Sequence, residues 1–324
     1  MIKKSLFILV LLGLIIPAFG WGFFAHKLIN RLAVFTLPEQ LLLFYKNNIE
    51  YITEHATDAD KRRYSVTEEA CRHYIDLDYY EKTVPIDTVP KYWKEAVAKY
   101  TEDTLNAYGI VPWYIHLMKI RLTEAFKEKD IDKILKLSAD IGHYIGDAHV
   151  PLHSTMNYNG QMTNQHGIHG FWESRLPELF STDYDFFVGR ARYIKNVQLT
   201  AWTASEGSFA AMDSVLSFER ALNKSFGEDR KYAYEQRGQT QVKTYSKEYS
   251  KTYHDMLGDQ VERRMRASIA MVGSIWYTAW VDAGQPDLTN LTAKPQKMND
   301  EERKKFIEEE QQMLQKQMIG RQEN

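Results

Sequence analysis

The chain has 324 residues, with 41 Lys and Arg against 43 Asp and Glu, and 44% of it is hydrophobic. That composition excludes a disordered, collagenous or coiled-coil protein, and the near-balanced charge offers no global basic field for nucleic acid or anionic membrane. A single cysteine, Cys71, excludes an internal disulfide framework and a cysteine-built zinc site, which leaves oxygen and imidazole ligands.

Residues 1–20 read as a signal peptide. Lys3 and Lys4 precede an apolar run from Leu6 to Ile16, Pro17 breaks it, and Ala18-Phe19-Gly20 offers small residues before a cut. The run is too short to span a membrane, which takes roughly 20 residues. The expected product is exported, periplasmic or secreted, lacks a transmembrane anchor and begins at Trp21-Gly22. From there one all-α domain is expected over 21–290. In 133–148, Ile134, Leu137, Ile141, Ile145 and Ala148 recur at spacings of three and four. Phe209, Met212, Leu216 and Leu222 suggest another amphipathic helix, although the other elements between 180 and 260 can be placed only loosely. Met265, Ile269, Val272, Trp276 and Ala279 form a further stripe, ended by Gly284 and Pro286. Alternating strand patterns are nearly absent. Residues 291–324, charged and Gln-rich from about Asn299, read as a solvated helical or disordered tail. A helical bundle holding a site in its centre is the simplest architecture.

Five of the ten histidines, His143, His149, His153, His166 and His169, are clustered. His143 and Asp147 are four apart and share a helix face, and imidazole plus carboxylate is a good zinc ligand set. Gly146 gives room beside Asp147, and Pro151 breaks the helix so that His153 can turn back toward the same cavity. His169 and Glu173 repeat the spacing. Any one such pair has an ordinary reading as a cap or a surface ion pair. Two pairs in one stretch, beside His26, Asp58-Ala59-Asp60 and His73-Tyr74-Ile75-Asp76, point to more than one metal ion.

Those segments, in order and mostly in spacing, resemble the phospholipase C/P1 nuclease superfamily of trinuclear zinc phosphodiesterases. The motifs are Trp21 to His26, Asp58-Ala59-Asp60, His73 to Asp76, His143-Tyr-Ile-Gly-Asp147-Ala-His149-Val-Pro-Leu-His153 and His169-Gly-Phe-Trp-Glu173. They cover residues 21–173, roughly half of the mature chain. The resemblance implies three zinc ions. Trp21 would bind one through its amino group and carbonyl, helped by His26; Asp60, His73 and His143 would hold a second, with Asp147 bridging these two; His153, His169 and Glu173 would hold the third. Asp58 competes with Asp60, which is preferred because family ligands often close an Ala-Asp or Pro-Asp step. His166 competes with His169, the one with a carboxylate four residues on. His149 is expected to pack or to support a ligand, and His55, His116 and His254 to be structural.

The resemblance also implies a hydroxide nucleophile oriented by Asp60, which is therefore the candidate catalytic residue. Two branches of the superfamily share these ligands. The Trp21–His26 spacing and the 146–153 string look like the single-strand nucleases, in which the positions of Tyr74 and Asp76 stack on and hydrogen-bond a base. Glu173 is the phospholipase C habit where nucleases usually carry aspartate. A single-strand nuclease acting on DNA or RNA is favoured over a phospholipase C acting on phospholipid headgroups. A reading from a different class is a non-catalytic periplasmic zinc-binding protein. Nine ligands shared among three ions leave room for water, which favours an enzyme.

Overall fold

The longest stretch of continuous burial sets the architecture. In the helix Ile131–Ala148, every residue from Ser138 to Ala148 is buried, because helices pack on it from several sides: Phe23–Val34, Val111–Glu128 and Gln260–Asp282. Such crowding requires small residues at the crossings. A Cβ at Gly142 would stand 1.9 Å from Asn30 Oδ1, and one at Gly146 would stand 2.9 Å from the His26 ring. Gly146 therefore makes room for His26 rather than merely for Asp147. The polar groups taken inside are paired, as burial demands. Ser138 Oγ shares a 2.7 Å hydrogen bond with Tyr45, its carbonyl accepts from Trp276 Nε1 at 3.1 Å, and Tyr45 stacks on that indole.

The computed structural model describes residues 22–288 and 291, except 238 and 239. The expected signal peptide, Trp21 and, apart from residue 291, the expected tail lie outside the described residues. Within them the chain is helical, with one small sheet. Val111–Glu128 and Ile131–Ala148 form an antiparallel hairpin whose turn is Lys129, in the left-handed region at φ 53°, and Asp130, whose carboxylate caps the second helix at Lys133 N. The last long helix runs Gln260–Asp282, and Gly284 (φ 87°) follows it.

Two details differ from the expectations. The apolar stripe from Phe209 to Leu222 does not form one helix. The segment is split into Val197–Ala210 and Met212–Ser225, with Ala211 capping the first. The loosely placed region also contains an antiparallel hairpin, β1 Tyr232–Arg237 and β2 Thr240–Tyr245, in register Tyr232 to Tyr245. Its two strands are mostly polar, with Tyr232, Tyr234 and Tyr245 as their aromatic residues and Val242 as the one branched aliphatic, so they give no aliphatic strand signal. Arg175 ties the hairpin to the core by a two-point ion pair with Glu235 and a bond to the Tyr245 carbonyl, and Phe171 stacks on Tyr245 at 3.9 Å.

Candidate metal centre

Five segments bring eight buried side chains together. His26 lies on the first helix, Asp60 on the short helix Asp58–Arg62, and His73 directly after the 3-10 turn Ala70–Arg72. His143 and Asp147 come from Ile131–Ala148. That helix stops at Ala148, and Pro151 starts a 3-10 turn, Pro151–Ser154, that carries His153. His169 follows Gly167, at φ 89°, and Glu173 sits in a π-helical turn, Phe171–Arg175. Such turns are rare and recur at functional sites.

The side chains form three groups, His26 with Asp60 and His143, His73 with His143 and Asp147, and His153 with His169 and Glu173. Within each group one ligand atom per residue lies within 4.8 Å of the others, a spacing that could hold a metal ion. Asp147 faces two ways. Its Oδ2 is 3.0 Å from His73 Nδ1 and 3.2 Å from His143 Nε2, while its Oδ1 is 3.4 Å from His26 Nε2 and 3.9 Å from His153 Nε2. Asp60 Oδ1 approaches His143 Nε2 at 3.5 Å and His73 Nδ1 at 3.7 Å.

Three of the imidazoles are oriented from behind. His143 Nδ1 donates to the Ala56 carbonyl at 2.9 Å and His153 Nδ1 to the His73 carbonyl at 2.7 Å, which turns each Nε2 inward. His73 is reversed: its Nδ1 faces the centre and its Nε2 is 3.5 Å from Glu69 Oε1. Metal-ligating histidines characteristically donate their outer N–H to a carbonyl or carboxylate. The inner atoms fit a metal as well. His153 Nε2 and Asp60 Oδ2 are buried with no hydrogen-bond partner among the described residues, an arrangement that is costly unless a ligand satisfies them.

Burial and the neighbouring charges shift these groups in different directions. Burial, then the neighbouring His143, pushes His26 down to about 4 and keeps it neutral, the form that ligates. For Asp147 burial opposes ionisation, yet His143 and His153 hold the carboxyl well below its usual range. For His143 burial acts against protonation, and Asp147 and Asp60 override it, raising the imidazole well above its ordinary value.

Other expected residues lie elsewhere. Asp58 bonds His55 at 2.5 Å and Lys61 at 2.8 Å instead of joining Asp60. His166 is exposed. His149 donates to the Ile145 carbonyl at 2.7 Å, with burial lowering it to about 3. Trp21 lies outside the described residues, but Gly22 N–H donates to Ser174 Oγ at 2.9 Å, one residue from Glu173. Tyr74 and Asp76 are buried and belong to none of the three groups; Tyr74 donates to the Ala107 carbonyl at 3.4 Å, and Asp76 N–H to that of Tyr108 at 2.7 Å.

Two supporting residues escaped sequence reasoning. Glu69 is fully buried behind His73 and accepts from Tyr144, from Arg72 at 2.7 Å and from Arg62 at 3.3 Å. It precedes His73 by four residues, the same spacing that singled out the other two pairs, so the signal was present. Arg264, buried, donates to the His149 carbonyl at 2.8 Å and to the Ala204 carbonyl at 2.8 Å, fixing the chain between Asp147 and His153. Its place on the last helix gives no such signal. No protein-family model and no curated protein matches the chain.

Proposed function

We propose that the protein is an exported zinc-dependent phosphodiester hydrolase of the phospholipase C/P1 nuclease type, with single-stranded DNA and RNA as the favoured substrates. The observation that supports this reading best is Asp147, a buried carboxylate whose two oxygens face different sets of histidines. A carboxylate so shared suits adjacent cations, and phosphodiesters are the substrates that most need clustered positive charge. Zinc, when bound, supplies that charge, lowers the pKa of water to about 7 and can clamp attacking and leaving oxygens.

The chain's own residues then have distinct tasks. His26 with Trp21, then Asp60, His73 and His143, then His153, His169 and Glu173 would hold three ions, with Asp147 between the first two. Asp60, whose Oδ2 has no hydrogen-bond partner among the described residues, is assigned to orient the attacking water and accept its proton. As the water oxygen bonds to phosphorus, the bond to the leaving oxygen breaks, and that oxygen takes up a proton. Glu69, Ala56 and the His73 carbonyl keep the imidazoles from turning.

Tyr74 and Asp76 are assigned to the base of a nucleic-acid substrate. The burial of Tyr74, together with Glu173 in place of aspartate, favours a second reading, a phospholipase C that releases phospholipid headgroups. The test is cleavage of single-stranded DNA and RNA by zinc-loaded protein beginning at Trp21, with zinc content measured alongside and a chelator control. Chelator-sensitive cleavage is expected. Protein that retains zinc but leaves nucleic acid intact would transfer the assignment to phosphatidylcholine headgroup release, and failure of both reactions would leave a zinc-binding protein without catalysis. Protein that binds no zinc would end the proposal.

A further inference from the structure

The helices Val197–Ala210 and Gln260–Asp282 leave a groove of about 360 Å³ between them. None of the eight side chains of the metal groups lines it. Arg264 reaches across from the second helix and closes one end: its Nη2 donates to the Ala204 carbonyl at 2.8 Å and to Ser208 Oγ, and its Nε to the His149 carbonyl at 2.8 Å. At the other end the segment preceding the first helix crosses, where Ile194 N–H donates to Thr278 Oγ1 at 2.9 Å.

Arg264 is 7% exposed, and no Asp, Glu, Lys or other Arg lines the groove among the described residues. No carboxylate pairs with it among them either, and burial, then the neighbouring Arg263, pulls its pKa down to about 10. Buried charges are ordinarily paired. The carbonyls it bonds offset part of the charge, that of His149 standing at the negative end of Ile131–Ala148. One nitrogen is left over. Nη1 makes no hydrogen bond among the described residues, and a Cβ at Gly207 would stand 2.9 Å from it. Thr200, Ala204 and Gly207 are spaced four and three apart and share one helical face, so Nη1 lies over the face that lines the groove.

The rest of the lining is apolar or already bonded. Ala267, Ala270 and Met271 continue the wall from Arg264. The hydroxyls of Thr200, Thr203 and Ser274 donate to carbonyls four residues back, at 3.0, 3.0 and 2.6 Å, so a multiply charged oxyanion would find a single cation and no free hydroxyl proton. Along the helix, Arg264 to Ser274 is about 15 Å. We propose that the groove binds an amphiphilic monoanion, a carboxylate with an unbranched chain of about eight carbons, its head on Arg264 Nη1 and its chain along Ala267, Ala270 and Met271 toward Ile194. One fixed cation selects one negative charge, and its burial makes the charge-assisted hydrogen bond stronger than in water. The proposal is independent of the hydrolase assignment.

The experiment is calorimetric titration of the zinc-loaded mature protein with octanoate below its micelle concentration, with 1-octanol as the neutral partner of equal length. Saturable one-to-one binding of octanoate is expected, and 1-octanol should bind about tenfold more weakly or worse. Arg264 itself is kept, because it holds the His149 carbonyl. Ala267→Glu puts a carboxylate three residues on, at a partly exposed lining position, where it should occupy Arg264 and weaken octanoate binding about tenfold or more with zinc content unchanged. Ala267→Gln, of the same size without the charge, should weaken it less. Octanoate bound to zinc at the metal centre instead would bind Ala267→Glu as tightly as the parent. Absence of saturable binding, equal affinity for 1-octanol, undiminished binding to Ala267→Glu, or displacement by an equal concentration of inorganic phosphate would each overturn the proposal.

Discussion

Replacing Glu69 by Gln would test how the centre is held from outside. The substitution keeps the volume and removes one charge from a site with no solvent exposure, where the carboxylate faces Arg72, Arg62, Tyr144 and His73. Burial raises the Glu69 carboxyl, and these neighbours, His73 first, more than reverse it, so it is ionised at neutral pH. Taking one partner from a fully buried ion pair costs about 3–5 kcal/mol. Here both arginine side chains are about a quarter exposed, and Arg62 keeps Asp140 at 3.0 Å, so about 2–3 kcal/mol is the expected loss. At this chain length that lowers the melting temperature by roughly 3–5 °C. Under the proposed function a second effect is separate: His73 loses the carboxylate charge that stands 3.5 Å behind its Nε2, and zinc affinity should drop about 10- to 100-fold. Thermal unfolding gives the first quantity and competition with a chromophoric chelator the second. Tyr144→Phe is the control, since it removes a hydrogen bond to Glu69 but leaves the charge, and should cost stability with a smaller change in zinc affinity. If Glu69→Gln unfolds more easily yet binds zinc as tightly as the parent, Glu69 is a fold residue alone and the orienting role is refuted.

Three further outcomes are expected. Gly146→Ala places a methyl group 2.9 Å from the His26 ring, so it should destabilise by about 1–3 kcal/mol through overpacking and lower the bound zinc by one ion, read by elemental analysis. Under the proposed function, adding one Met before Trp21 should remove that same ion by turning the Trp21 amine into an amide, since a free amine with an ordinary pKa of about 8 gives up its proton to a metal and an amide does not; unchanged stoichiometry would count against the amine as ligand. His254 shares a 2.7 Å hydrogen bond with Tyr184, and burial lowers its pKa below the ordinary value. The unfolded chain therefore takes up a proton first, and stability from this residue falls as pH drops from about 7 through the unfolded pKa of about 6.5. Urea midpoints should show a shallower acid slope in His254→Gln, and an unaltered slope would refute the assignment.

What could be read from the sequence divides along physical lines. Helical periodicity in 133–148 and 265–279 marks elements whose apolar stripes face the core, and histidine–carboxylate spacing marks groups that share a helical face. The pairs His143/Asp147 and His169/Glu173 were visible for that reason. Asp58 is taken by His55 and Lys61, each three residues away, whereas what selects Asp60 is the long-range packing that brings it to His73 and His143, which spacing does not show. The hairpin at 232–245 went unseen because what holds it is the packing of Tyr245 on Phe171 and the bonds from Arg175, residues distant in the chain. The close fit of Gly146 to His26, likewise, exists only once two helices cross.

The bond from Gly22 to Ser174 spans 152 positions of sequence. The eight candidate side-chain ligands lie between its ends, so one connection draws the start of the described chain to the last of them. Closing so long a loop is entropically costly, and any ion gripped jointly by His26 and Asp147 would behave as a crosslink, favouring the native chain over the unfolded one. A chain made from its N-terminus must then carry His26 as an unmatched half-site until residues 143–173 have been synthesised. Every helix downstream of that point, including the one carrying Arg264, closes over a centre whose side chains are already present.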